Sequence, residues 1–223
     1  MIRTFVRRTA LAALVVLTPQ VVLPESLSGA YLAGRQAALQ NDFVASAQYY
    51  TAALARDPSN ISLMEDTIAT QLAIGNLDRA LPLARLLESQ GVRSQAAHMT
   101  VIADMLAREA YDDYLARNVE IAGIGPLVDG LLGAWAMIGA GRAQDAMAEF
   151  DRISAERGLR GFALYHKAMA LASLDDFEAA EALFMAEAGP LQQTRRGAMA
   201  RAEVLSQLGR NEDAIASLEA AFG

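Results

Sequence analysis

The chain has 223 residues, of which 53% are hydrophobic and 20% charged, and its formal net charge is −7. This composition excludes a disordered chain and permits a sizeable buried core, while the excess of 26 acids over 19 bases disfavours a nucleic-acid-binding protein. Because cysteine is absent, disulfides, thiolate catalysis and zinc–thiolate sites are excluded as well.

The first 28 residues are predicted to be a signal peptide or an N-terminal membrane anchor. Arg3, Arg7 and Arg8 precede an uncharged run over residues 9–17. A basic start followed by a short apolar run is typical of an export signal, and this run is shorter than an ordinary membrane span. A periplasmic location is therefore expected, with a retained anchor in the inner membrane, facing the periplasm, as the alternative.

Residues 29–223 are predicted to form one repeat domain. Similar segments begin near Leu27, Ile61, Gln95, Leu127, Gly161 and Arg195, with spacings of 34, 34, 32, 34 and 34 residues. A fixed period of this length indicates a solenoid, in which each repeat is a pair of helices that contacts its neighbours. Since β-branched residues form no alternating runs, the apolar content also favours helices over strands.

Small residues recur where the two helices of a unit are expected to cross. The eighth place of a unit holds Gly34, Ala134, Ala168 and Ala202, and the twentieth holds Ser46, Ala80, Ala146, Ala180 and Ala214. The twenty-fourth place holds the larger Tyr50, Phe150, Phe184 and Leu218. Small residues let two helices approach closely. In period and in these places the chain resembles the tetratricopeptide-repeat family, which implies an all-α, right-handed α-solenoid of about six antiparallel helix-pair repeats.

Turns between the paired helices are predicted at corresponding places, and the third unit is the exception. The turns fall at residues 41–42, 75–76, 141–142, 175–176 and 209–210. Their Gly, Asn and Asp residues favour helix ends and caps. In the third unit Glu109 and Ala110 occupy the turn, and Tyr114 replaces the small residue of the twentieth place. Its helix pair is therefore expected to be splayed or shifted in register.

No residues arranged for catalysis, for a cofactor or for a metal are evident in the sequence. His98 and His166 are the only histidines and belong to no metal-binding motif. The pairs Asp112–Asp113 and Asp175–Asp176 stand at predicted helix starts, where carboxylates cap free amides. Gly139–Arg142 is predicted to be a turn and not a phosphate loop, because no strand precedes it. The chain is expected to be non-enzymatic and to need no cofactor.

Apolar side chains are predicted on the face with which the resembled family binds its partners. In that family the concave wall is formed by the first helix of each unit, mainly at its second, fifth, ninth and twelfth places. The resemblance thus implies a partner groove that contains Met99, Leu131, Trp135, Phe162, Tyr165 and Met169. Such a trough fits an amphipathic helix or an extended peptide. Trp135 is the expected anchor, and the alternative is that these side chains pack internally.

A clamp for a peptide's terminal carboxylate is not expected. Some members of the family build one from Lys, Asn and Arg in their first repeats. The corresponding positions here hold Tyr31, Arg35, Glu65 and Ala69. Arg35 alone does not make such a site.

These observations favour a non-enzymatic interaction scaffold of the bacterial envelope, with a protein or peptide partner and no nucleic acid. No polar capping helix follows the sixth unit, although solenoids need such caps. We therefore expect the array to continue beyond residue 223 in a longer protein, or a partner to cover its end. Two alternatives stay open: a targeting or regulatory N-terminal part of a longer enzyme, and a membrane-anchored assembly factor.

Overall fold

The computed structural model describes residues 26–186 and 194–222, and within them it contains thirteen helices and no β-strand. The helices are, in chain order, α1 (Leu27–Leu39), α2 (Phe43–Leu54), α3 (Ile61–Ala73), α4 (Leu77–Ser89), α5 (Gln95–Ala107), α6 (Tyr111–Leu115), α7 (Val119–Ala122), α8 (Pro126–Gly139), α9 (Ala143–Ser154), α10 (Arg160–Ser173), α11 (Phe177–Ala186), α12 (Arg195–Gln207) and α13 (Asn211–Phe222). The all-α prediction is confirmed. Nearly all of the predicted export segment, residues 1–28, lies outside the described residues.

The helices form six successive pairs, each joined by a turn of three residues. We call the first helix of a pair helix A and the second helix B. Helices A are α1, α3, α5, α8, α10 and α12, and their first residues lie at the predicted unit starts or one residue before them. Helix B of a unit packs on helix A of the next, as α2 does on α3 and α9 on α10. This arrangement confirms the predicted α-solenoid of helix-pair repeats.

Helices A and B cross at the predicted small residues. In the first unit, the Ser46 hydroxyl donates a hydrogen bond to the Gly34 carbonyl oxygen at 2.8 Å. The Tyr50 ring lies 3.1 Å from the position that a Cβ on Gly34 would take, so no larger residue fits there without displacing the ring. The equivalent clusters are Ala134, Ala146 and Phe150 in the fourth unit and Ala168, Ala180 and Phe184 in the fifth.

A residue in the left-handed conformation stands in each of the six turns between helices A and B. These residues are Asn41, Gly75, Glu109, Gly141, Asp175 and Gly209, with φ from 56° to 74°. The third unit thus keeps the turn that its sequence does not favour. Glu109 adopts this conformation at a cost of about 1 kcal/mol, because its Cβ crowds the backbone.

The third unit departs from the others in its helix B, which is interrupted. Helix α6 ends at Leu115 after five residues, and the four-residue α7 follows. Tyr114 is buried in a cluster with Ile102 and Ala136, and its hydroxyl donates to the Asp129 carbonyl oxygen at 3.4 Å. Because a tyrosine ring cannot enter the close crossing, the chain turns away one residue later. The expected shift in register is therefore wrong, since the turn stands at its usual place, and helix B is interrupted.

The sixth unit leaves large apolar side chains exposed, namely Met199, Ile215 and Phe222. The Arg195 guanidinium lies over the Phe222 ring, 5.2 Å from its centroid, and covers part of that ring. That the array continues past residue 223, or that a partner covers this end, stays a prediction.

Replacing Glu109 by glycine is expected to stabilise the chain by about 0.5–1 kcal/mol, because glycine adopts a φ of 56° without strain. The Glu109 side chain makes no hydrogen bond or ion pair with the described residues, so the substitution removes no side-chain interaction seen there. Urea unfolding followed by circular dichroism measures the change. The control is Ala107→Gly in the last turn of α5, which should lose up to about 1 kcal/mol. Equal losses in both variants would contradict the assignment of strain to Glu109.

Candidate functional site

Five of the six predicted groove residues lie on two neighbouring helices. Leu131 and Trp135 lie on α8, and Phe162, Tyr165 and Met169 lie on α10, which packs against α8. Met99 is on α5, which makes no substantial contact with α8 or α10 in the described part of the chain. The structure therefore brings five of these residues together and leaves the sixth on a separate helix.

The groove residues divide between surface and core. Leu131 and Trp135 are half-buried and pack against the cluster around Phe150 in the fourth unit. Tyr165 and Met169 are half-buried against the corresponding cluster of the fifth unit. Phe162 is 56% exposed and Met99 is 48% exposed. Four of the predicted residues thus pack against the core, and Phe162 is largely exposed on the same pair of helices.

Trp135 links the fourth unit to the fifth. Its Nε1–H donates a hydrogen bond to Nδ1 of His166 at 3.0 Å. The indole meets the Phe150 ring edge-on, with centroids 6.3 Å apart at 79°, and meets the His166 ring in the same way at 6.3 Å and 83°. The polar atom that an interface anchor would offer to a partner is therefore engaged inside the chain. The role of Trp135 as an anchor stays a prediction.

His166 is held in its neutral form. Burial lowers the pKa of this imidazole, and the nearby charge of Arg196 lowers it further. Because Nδ1 accepts the bond from Trp135, Nε2 must carry the proton of the neutral ring. The His166 ring also contacts Tyr165 edge-on, with centroids 5.4 Å apart. His166 is thus a packed histidine, as the sequence indicated, with one defined donor.

A cavity of about 580 Å³ lies between the first turns of α10, which carry Phe162 and Tyr165, and the start of α12. Its lining is Gly158, Arg160, Gly161, Phe162, Tyr165, His166, Thr194 and Arg196. This volume is within the range of pockets that hold small ligands or a few side chains. Two of the predicted groove residues, Phe162 and Tyr165, form part of its wall.

A second polar cluster, which the sequence does not reveal, holds the irregular third unit. Glu88, at the end of α4, accepts a hydrogen bond from Arg117 at 2.7 Å and faces His98 Nδ1 at the same distance. Arg117 also donates to the Ala122 carbonyl oxygen at 3.1 Å. Burial by itself raises the pKa of Glu88, but the bonds and charges of Arg117 and His98 outweigh burial and leave this pKa below its usual value. The cluster fixes the segment that replaces a regular helix B.

The other motifs that the sequence singled out have structural roles. Asp176 accepts a hydrogen bond from the Ala179 amide at 3.2 Å, and thereby caps α11. Asp112 and Asp113 lie in the first turn of α6. A Cβ on Gly139 would meet the Tyr111 ring at 2.5 Å, so this glycine serves close packing at the end of α8. Asp176 thus matches the capping interpretation, whereas no side chain caps α6 and Gly139 is the last residue of α8.

Metal and membrane features can be stated for the described residues. Within residues 26–186 and 194–222, no three His, Asp or Glu side chains converge as a metal site would require. None of the helices in those ranges is both long enough and apolar enough to cross a bilayer.

The helix pairs define the chain as an α-solenoid repeat protein. No protein-family model and no curated protein matches its sequence. Its structure is similar to that of a tetratricopeptide repeat protein from Parabacteroides merdae, with a TM-score of 0.70 and 18% identity over 88% of this chain and 78% of that one. The chain thus has the tetratricopeptide-repeat fold that the resemblance implied.

Two further solved structures are similar at lower scores. The MamA protein has a TM-score of 0.39 and 14% identity, over 89% of this chain and 91% of its own. A thermophilic tetratricopeptide protein of Thermus thermophilus has a TM-score of 0.34 and 18% identity, over 88% of this chain and 90% of its own.

Acidification is expected to break the bond between Trp135 and His166, because a protonated Nδ1 can no longer accept it. The unfolded imidazole titrates near its ordinary value of 6.5 and the folded one at lower pH. The stability that this pair contributes is therefore present above pH 6.5 and lost as the pH falls through the folded pKa. Trp135 is the only tryptophan. Its fluorescence intensity should decrease as the pH falls below 6.5, since a protonated imidazole quenches indole fluorescence.

His166→Gln is the control for this titration, because its amide oxygen can accept the indole bond and does not titrate near neutrality. Its emission should stay flat between pH 7 and pH 5. A wild-type midpoint at or above 6.5, or the same transition in His166→Gln, would show that another group governs the signal.

Replacing Glu88 by glutamine is expected to cost about 3 kcal/mol at neutral pH, since Arg117 would be left buried without its carboxylate. The lowered pKa of Glu88 means that its contribution is present above pH 4.5, its ordinary value, and lost as the pH falls through the folded pKa. The difference between variant and wild type should therefore shrink in acid. The matched change Asp145→Asn, in a surface pair with Arg142, should cost less than about 0.5 kcal/mol. Similar losses in the two variants, measured by urea unfolding, would refute the role of the Glu88 cluster.

Proposed function

We propose that this chain is a non-enzymatic scaffold that binds a protein or peptide partner on the concave face of α8 and α10. The observation that carries the proposal is Phe162, a large apolar side chain that is 56% exposed beside a cavity of about 580 Å³. Tyr165 forms the adjacent wall. Exposed apolar surface next to a concavity is the usual mark of a partner site. The tetratricopeptide fold supports the same function by analogy of architecture.

The groove residues contribute to binding in different ways. Phe162 is the largely exposed ring, whereas Tyr165 and Met169 are half-buried against the core cluster of the fifth unit. Trp135 lies behind this surface and positions His166, which lines the cavity. The groove is thus centred on the fifth unit. The partner we propose is an extended or helical segment with a large apolar side chain that packs on Phe162.

The proposed location is the bacterial envelope. The basic start and apolar run of residues 1–28 support export to the periplasm, with residues 29–223 as the exported repeat domain. If that segment is retained, the same scaffold would be anchored in the inner membrane and face the periplasm.

A photoreactive phenylalanine analogue at position 162 is expected to crosslink the partner in intact cells of the host, where mass spectrometry identifies it. The matched control is the same analogue at position 148, since Ala148 is exposed on helix B of the fourth unit.

The mass of the purified chain should place its N-terminus near residue 29. A mature chain that still starts at Met1 would contradict cleavage and favour the anchor.

Phe162→Glu should then reduce co-purification of the identified partner at least about tenfold, because a carboxylate would be buried against apolar groups. Unfolding should be nearly unchanged, since the ring is largely exposed. Met99→Glu tests whether the groove reaches α5, where that side chain is also exposed. Unaltered capture by the folded Phe162→Glu variant would refute the groove.

A further inference from the structure

The described wall of the cavity beside Phe162 is partly aromatic. Phe162 and Tyr165 contribute aromatic rings, and Gly158, in the loop before α10, and Gly161, in the first turn of α10, carry no side chains. Glycine lets another backbone approach closely. The cavity is therefore shaped for a peptide segment that places one large apolar side chain against the two rings.

Arg196 gives this cavity a positive charge that no described carboxylate neutralises. The other arginines of α12 are engaged, since Arg195 lies over Phe222 and Arg201 pairs with Glu181 at 3.0 Å. Arg196 is exposed, makes no ion pair with the described residues, and contributes to the lining. Neither Asp nor Glu occurs among the described lining residues. In a chain of net charge −7, this is a local reversal of sign.

His166 adds a hydrogen-bond donor of defined direction. Trp135 occupies Nδ1 at 3.0 Å, so the proton of the neutral ring lies on Nε2. The described structure gives that nitrogen no hydrogen bond, and the residue lines the cavity. Because Trp135 fixes the ring, this donor needs no reorganisation when a ligand arrives. The cavity thus presents the His166 donor and the guanidinium of Arg196 next to two aromatic rings.

We propose that this cavity binds an acidic segment of the partner, in which a carboxylate side chain adjoins a large apolar side chain. The carboxylate accepts hydrogen bonds from Arg196 and from His166 Nε2, and the apolar side chain packs on Phe162. A neutral segment could accept these bonds only without the assistance of charge, and a basic segment would be repelled by Arg196. This inference rests on the proposed function and adds the chemistry of the bound segment.

Three twelve-residue peptides with acetylated and amidated ends test the proposal by calorimetric titration of the full chain. They share a central Leu-Phe pair and differ only at two flanking positions, which hold Asp, Asn or Lys. The Asp peptide should bind about tenfold more tightly than the Asn peptide, as charge-assisted hydrogen bonds require, and the Lys peptide should bind most weakly. Raising the salt concentration should reduce the advantage of the Asp peptide.

Arg196→Gln should remove most of the advantage of the Asp peptide, because only the His166 donor and no cationic partner remains, and should change the affinity for the Asn peptide little. Arg142→Gln, at an exposed arginine in the turn between α8 and α9, is the matched control and should retain it. Equal affinities for the Asp and Asn peptides, an advantage that is undiminished in Arg196→Gln, or no binding of any peptide would each overturn the proposal. Binding of free 3-phenylpropionate as tightly as the Asp peptide would overturn the assignment to a peptide.

Failure of this inference is distinguishable from failure of the scaffold function. If the Asp and Asn peptides bind equally and Phe162→Glu abolishes both, the groove stands and its acidic specificity is wrong. The scaffold function itself is decided by partner capture at position 162.

Discussion

The close crossing of helix A and helix B within each unit is the constraint on which the array depends. Gly34 and Ser46 meet directly in the first unit, and Tyr50 closes over their contact. With a small residue on both helices, the backbones approach and a ring from helix B is buried completely, as Phe150 and Phe184 are. Each pair then presents the next helix A with a surface of fixed shape, so the spacing of the crossing sets the spacing of the repeats.

The third unit departs from the regular array because it violates this constraint. Tyr114 stands at the small place, and helix B ends one residue later. The backbone groups that the lost helix would have satisfied find other partners: Asp129 accepts the amides of Ile124 and Gly125 at 2.8–3.0 Å, and Arg117 donates to the Ala122 carbonyl oxygen. Neighbouring helices A also pack less closely here, because α5 and α8 make less contact with each other than α8 and α10 do. Met99 is separated from the rest of the predicted groove for this reason.

The period of the sequence predicted nearly all of the fold, because a repeat of 34 residues with small crossing places admits few alternatives. The same pattern predicted Phe162 and Tyr165 on a binding face, and in the structure both line one cavity. It could not predict the bond from Trp135 to His166, because a period specifies which face a residue occupies and not which polar atoms on adjacent units meet. The sequence did not predict the Glu88–Arg117 pair for a related reason. Its members are 29 positions apart and lie where the repeat is irregular. No local signal marks such a pair.

The internal use of Trp135 changes how the concave face would bind. An exposed indole must lose rotational freedom when it becomes an anchor, and that loss weakens association. Here the indole is already ordered by Phe150 and His166, and it in turn orders the imidazole that lines the cavity. The entropy of placing this donor is thus lost during folding and not during binding. In the proposed groove, affinity would then depend on the exposed ring of Phe162 and the guanidinium of Arg196, which are still free to take up new contacts.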